Sequence, residues 1–200
     1  MNDEKLRAIR ALRNKIVHLP TSALKECGLS DYDISNLIID GEIQRIKRGL
    51  YRWVESSIEY SEMAEVAQIV PAGVFCLYSA FAYWELSTYI PKQHTLAVPR
   101  HMRIPSLPPY PKIKVVKYND VRYNTGITSA QEGNSVVMVY DLEKTVCDAI
   151  VHRNRIGLDL VKEILGNYVG KPQINIKLLT EYAKKMRIYG PVKTYFEVLL

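Results

Sequence analysis

The sequence predicts an α+β chain in two parts: a small N-terminal domain of short helices closed by a β-hairpin, and a larger mixed α/β domain with a helical C-terminal end. Three observations predict it. Apolar residues recur at three- and four-residue steps as far as Asp40, residues 42–54 alternate around Gly49, and beyond Tyr60 helical stretches are interleaved with β-branched runs. The 200 residues are 48% hydrophobic and 24% charged, the balance of a soluble globular chain with room for two small domains, at 1–56 and 60–200.

Over residues 3–15, Leu6, Ile9, Leu12 and Ile16 form an apolar stripe, while Lys5, Arg7, Arg10 and Arg13 lie mostly off it and give an outward basic face. A second, short helix follows with Thr21 or Ser22 as its cap and Ala23, Leu24 and Cys27 as its buried side. Gly28 ends it in a left-handed conformation. Ser30 and Asp33 make a capping-box arrangement for a third helix that buries Ile34, Leu37 and Ile38 and closes at Asp40-Gly41. Residues 42–54 read as two short strands around a tight turn at Gly49.

Together these elements make a winged helix-turn-helix, in which a recognition helix offers its exposed face to base edges and a wing adds phosphate contacts. On the third helix Tyr32, Ser35 and Asn36 can hydrogen-bond to bases or phosphates. No Arg or Lys lies between Ser30 and Ile43, so the wing must supply much of the grip through Gln44, Arg45, Lys47, Arg48 and Arg52. Lys25 is a possible further phosphate contact.

The polar run 56–60 is a linker, and residues 63–70 and 79–86 are helical on either side of Pro71-Ala72-Gly73. Strands are expected at 95–98, 113–118 and 135–140, the last buried and leading into a helix over 141–152. Helices over 158–168 and 174–186 and from Val192 onward complete the chain. Between Pro91 and Arg122, Lys92, Arg100, Arg103, Lys112, Lys114, Lys117 and Arg122 stand against the single acid Asp120. Arg100, Arg103, Lys112 and Lys114 are therefore candidates for additional phosphate contacts.

The net charge of +6 and a pI near 9.1 favour a polyanionic partner. Neither phosphate-binding glycine motif occurs, nor H-E-x-x-H or C-x-x-C, so kinase and dehydrogenase chemistry is disfavoured and no cofactor, metal or catalytic residue is expected. Cys27, Cys76 and Cys147 read as buried free thiols, and His18, His94, His101 and His152 as scattered surface or partly buried residues without partners. No stretch approaches the roughly 20 apolar residues of a membrane helix, and the N-terminus lacks a signal-peptide pattern, which implies a cytoplasmic protein. Asp141, Lys144, Thr145 and Asp148 fall near one helical face. Asp141 caps that helix and Lys144 pairs with Asp148 or Asp141, or else Asp141, Lys144 and Asp148 form an interaction or phosphate-binding surface.

Leu24-Lys25-Glu26-Cys27-Gly28-Leu29-Ser30, residues 37–41 and Ile46-Lys47-Arg48-Gly49-Leu50-Tyr51 resemble the N-terminal winged helix of the AbiEi family of antitoxins. Cys76-Leu77-Tyr78-Ser79-Ala80, Leu96-Ala97-Val98-Pro99, Thr125-Gly126 and the run from Val139-Tyr140-Asp141 through Cys147-Asp148 resemble its C-terminal domain in order and spacing. The resemblance implies a non-enzymatic autorepressor that binds inverted repeats of double-stranded DNA in its own promoter. It also implies the antitoxin of a type IV abortive-infection system, which counteracts a nucleotidyltransferase-like AbiEii toxin without a stable complex. Two other classes fit the residues: a nucleic-acid-modifying enzyme with a metal on Asp141, Glu143 or Asp148, and an interaction module that does not bind DNA.

Overall fold

A computed structural model describes residues 3–13, 16–55, 61–133 and 135–199; the Leu6 side chain, Lys15 and the expected linker 56–60 lie outside the described residues. Helices and two sheets make the fold α+β. The chain divides into two compact units. The first comprises the chain up to Pro71 with residues 105–111 and 131–136; the second comprises 72–104, 112–130 and 137 onward.

The first unit contains α1 (Asp3–Arg13), β1 (His18–Pro20), α2 (Thr21–Glu26), α3 (Asp31–Ile39), β2 (Ile43–Lys47), β3 (Leu50–Trp53) and α4 (Glu62–Ile69). Ile9, Leu19, Leu24, Leu29, Ile34, Leu37, Ile43 and Trp53 are buried together as its core. Complete burial of a side chain such as Leu24 stabilises the fold by roughly 2–3 kcal/mol, more than any single cap supplies. Helices α2 and α3 end the same way. Gly28 bonds back to Lys25 and Leu29 to Leu24; Gly41 bonds to Ile38 and Glu42 to Leu37, with both glycines at positive φ where a Cβ would be strained.

At the start of α3 the expected capping box is present: Asp33 N donates to Ser30 Oγ and Ser30 N donates to Asp33 Oδ2. The start of α2 differs from expectation. Its cap is Pro20, without a side-chain bond, because Thr21 N donates to the Gly49 carbonyl at 3.0 Å, so the hairpin supplies what Thr21 or Ser22 was expected to give. Ile38, expected inside, is 38% exposed, since the buried stripe passes through Ile34 and Leu37. Strand β1, which no local pattern predicts, pairs antiparallel with β3 and makes a three-stranded sheet in the order β1-β3-β2.

The second unit contains β4 (Val74–Phe75), α5 (Tyr78–Tyr83), β5 (His94–Pro99), β6 (Ile113–Tyr118), α6 (Asp120–Tyr123), β7 (Ile127–Glu132), β8 (Ser135–Tyr140), α7 (Leu142–Val151), α8 (Arg153–Ile156), α9 (Leu158–Val169), α10 (Ile176–Lys185) and α11 (Tyr189–Leu199). Its sheet runs β6-β5-β4-β8-β7, with β4 antiparallel to β5 and parallel to β8. Because β5 and β6 are parallel, the chain must cross over between them, and the proline-rich residues 100–112 make that connection. Helix α7 is buried from Leu142 through Ile150 and packs among α9, α10 and α11. A helix enclosed on all sides carries no solvated face.

Ser30→Ala removes one partner of the α3 capping box, and we expect it to lower stability by about 1 kcal/mol. Urea unfolding of the variant checks this; an unchanged midpoint would mean the cap contributes nothing.

Candidate functional site

On α3, Tyr32, Ser35, Asn36 and Ile39 occupy positions off the buried stripe, with Tyr32 75% and Ile39 80% exposed. Asn36 is half-buried, and the exposed Ser35 donates its hydroxyl to the Asp31 carbonyl one turn back, leaving the oxygen able to accept. The two acids at this end of the helix are both ion-paired. Lys5 holds Asp33 at 2.8 Å and Lys25 holds Asp31 at 2.6 Å, so Lys25 already serves an ion pair. Hydrogen bonds from Lys5 and Ser30 keep the Asp33 carboxyl well below the ordinary range.

Cross-strand pairing sorts the hairpin's cations. His18, Arg52 and Gln44 lie opposite one another across the three strands, and Leu19, Tyr51 and Arg45 form the next row on the other face. Strict alternation would put Lys47 on the Arg45 face, but a bulge between them pairs Lys47 with Leu50 and turns it to the Arg52 face. There α4 receives it: Lys47 Nζ donates to the Ile69 carbonyl at 2.7 Å, and burial lowers its pKa. Arg52 donates to Glu65 Oε2 at 2.8 Å and to Gln44 Oε1 at 3.0 Å, and His18 Nε2 lies 3.4 Å from the same carboxylate.

Burial by itself would raise the Glu65 pKa, yet the His18 hydrogen bond and the Arg52 charge outweigh it and hold the carboxyl below its ordinary value. Of the hairpin residues expected to meet DNA, Gln44, Lys47 and Arg52 are thus engaged within the protein. Arg45 and Arg48 are exposed, with no side-chain hydrogen bond or ion pair among the described residues. His18, expected to lack a partner, is a nearly buried member of this cluster whose partner lies 47 positions away.

In the second unit Arg100, Arg103, Lys112 and Lys114 are all exposed, and Arg100 lies apart from Lys112 and Lys114. Lys112 and Lys114 lie where β6 begins, and Arg100 follows the far end of β5. The five-residue step from His94 to Pro99 in the pairing corresponds to about 16 Å.

The Asp141, Lys144 and Asp148 group is not a surface. Lys144 and Asp148 are fully buried and paired with each other, and the Lys144 ammonium lies 4.0 Å from the centre of the Tyr140 ring and 4.9 Å from that of Tyr118. Asp141 caps α7 by accepting from Lys144 N at 2.8 Å and also accepts from the Tyr182 hydroxyl at 2.8 Å. Glu143 accepts from Asn175 N at 2.9 Å. The three acids that a metal on this helix would require therefore turn to three different partners. Gly126 approaches α7 so closely that a Cβ there would lie 2.5 Å from Lys144 Cβ.

Tyr118 links this pair to the surface. Its hydroxyl donates to Asp148 Oδ2 at 3.2 Å and lies 3.4 Å from His152 Nε2, while its ring stacks on that of His152 and carries the Arg122 guanidinium 5.2 Å above its centre. Burial, reinforced by Arg122 and Arg155 and opposed by Asp148, lowers the His152 pKa. Tyr118, Arg122, His152 and Arg155 border one cleft, a group not visible in the sequence because it comes from β6, α6, the end of α7 and α8. Cys76 and Cys147 are buried, and burial pushes the Cys147 thiol up to about 12; Cys27, expected inside, is half-buried.

No family model matches the chain, and no curated protein matches it. Among solved structures it is similar to the crystal structure of the RV2827C protein from Mycobacterium tuberculosis, at 12% identity with a TM-score of 0.52. That match covers 96% of this chain and 80% of the other, a likeness of fold. No helix among the described residues is long and apolar enough to cross a membrane.

The two charge clusters can each be tested. Lys144→Met strands the buried Asp148 and should cost about 3–5 kcal/mol, whereas Lys144→Met with Asp148→Leu should recover most of it in urea unfolding. Equal destabilisation of both variants would remove the pair as the constraint. Because the Glu65 carboxyl titrates lower in the folded chain, its contribution is complete above the ordinary 4.5 and is lost as pH falls through the folded value. Glu65→Gln should therefore destabilise the protein more at about pH 7 than at about pH 3, and an equal effect at both would contradict the ionised cluster.

Proposed function

We propose that the first unit acts as a winged helix-turn-helix that binds double-stranded DNA, with the exposed face of α3 reading bases and the hairpin gripping phosphates. The observation that carries this is a pair of exposed arginines, Arg45 and Arg48, unengaged among the described residues and set on the hairpin that α3 runs into. Neutralisation of Asp31 and Asp33 by Lys25 and Lys5 supports it, since an uncompensated acid at that helix end would oppose a phosphate. Tyr32, Ser35 and Asn36 supply hydrogen-bonding groups, and Ile39 can meet a thymine methyl. Ile39 lies one turn beyond Asn36 on the same stripe, so its spacing alone could have nominated it.

The chain acts in the cytoplasm as a non-enzymatic repressor of its own operon at inverted repeats. It is the antitoxin of a type IV system whose AbiEii-like toxin it counteracts without a stable complex. The antitoxin part of this reading is supported by the resemblance of the residues about Arg48-Gly49 and of the run from Tyr140 to Asp148.

Arg45→Ala with Arg48→Ala should weaken binding to the DNA upstream of the gene and to scrambled DNA alike. It should flatten the dependence of log affinity on log salt by up to about 2, one unit for each phosphate that is no longer neutralised. Gel-shift titration at two salt concentrations measures both. Unchanged affinity and slope would remove the hairpin from the interface, and no preference for the upstream DNA would overturn the repressor reading.

A further inference from the structure

We propose that the cleft where β6 ends is a binding site for the phosphate group of a small molecule of mononucleotide size. Its volume is about 400 Å³, within the range of small-molecule sites. Lys117, Arg122 and Arg155 line it, no carboxylate does, and His152 and Asn154 add polar groups that can hydrogen-bond. Val116 and Val151 supply apolar wall for the rest of such a ligand. The cleft lies at the carboxyl end of β6, the edge strand of the sheet.

The electrostatics separate an anion from other ligands. Asp148 is paired with Lys144 behind Tyr118; its charge acts on His152, but it is not among the residues that line the cleft. Arg122 is held over the Tyr118 ring, and one of its guanidinium nitrogens, Nη2, is buried without a hydrogen-bond partner among the described residues. A buried donor left unsatisfied is costly, and a small shift of the guanidinium toward the cleft would let a phosphate oxygen satisfy it while matching its charge. Arg155, exposed on α8, can close on the same phosphate, whose several oxygens can accept from two guanidiniums at once. The site does not depend on the DNA-binding reading.

The test is isothermal titration of the full chain with each of the four ribonucleoside 5′-monophosphates, inorganic phosphate and the unphosphorylated nucleosides, with the His152 ring followed by NMR. We expect saturable binding of at least one nucleotide that shifts the His152 resonances, competition by inorganic phosphate, and no binding of nucleosides. Arg155→Glu and Lys117→Glu, both at exposed positions, should each weaken binding at least about tenfold without changing the thermal midpoint. No saturation by any phosphate compound up to about 10 mM would overturn the proposal, as would nucleosides binding as well as nucleotides or both variants binding normally.

Discussion

The second unit depends on one unfavourable placement made favourable: a lysine and an aspartate enclosed in its core. Neither Lys144 nor Asp148 meets water, so each is tolerable only because the other is one helical turn away. The aromatic rings of Tyr118 and Tyr140 then become necessary parts of the arrangement, since their faces are the environment of the ammonium. Tyr140 is itself fixed, accepting from Trp84 Nε1 through its carbonyl and donating its hydroxyl to the Tyr123 carbonyl. Strand β8, helix α7 and the segment before β7 are thereby tied to one charge pair.

The first unit uses the same physics at a different depth. Glu65 is nearly buried and would be costly alone, but His18 and Arg52 surround it, and α4 is fastened to the sheet by those contacts and by Lys47. In both units, residues that look like ligand-binding groups in one dimension are consumed by the scaffold. What stays exposed includes the α3 face, Arg45 and Arg48 in one unit, and Arg100, Arg103, Lys112, Lys114 and the cleft's Lys117 and Arg155 in the other.

Legibility followed the range of the interactions. Helix α3 and the hairpin could be read because their signals are local: a cap three residues from its partner, glycines at helix ends, and a tight turn. Strands β1 and β4 could not, because they span three and two residues and owe their existence to neighbours elsewhere in the chain. Periodicity correctly placed α7 but could not reveal that it is buried all round, so its polar residues were open to reading as a surface. His18 and the cleft were hidden for the same reason, their partners being tens of residues away.

The bulge in β2 shows how little sequence such a division of labour requires. Arg45 and Lys47 are two positions apart and of like charge, and in an unbroken ladder they would share a face and a fate. One surplus residue shifts the phase of the strand, committing the later cation to the interior framework and leaving the earlier one available. Were the strand to settle into a regular ladder, both cations would turn to one side and the Ile69 carbonyl would be left without its donor. The outward charge of this hairpin is therefore a property of backbone phase as much as of composition. A change that keeps every arginine and lysine in place, yet smooths the bulge, would still redistribute it.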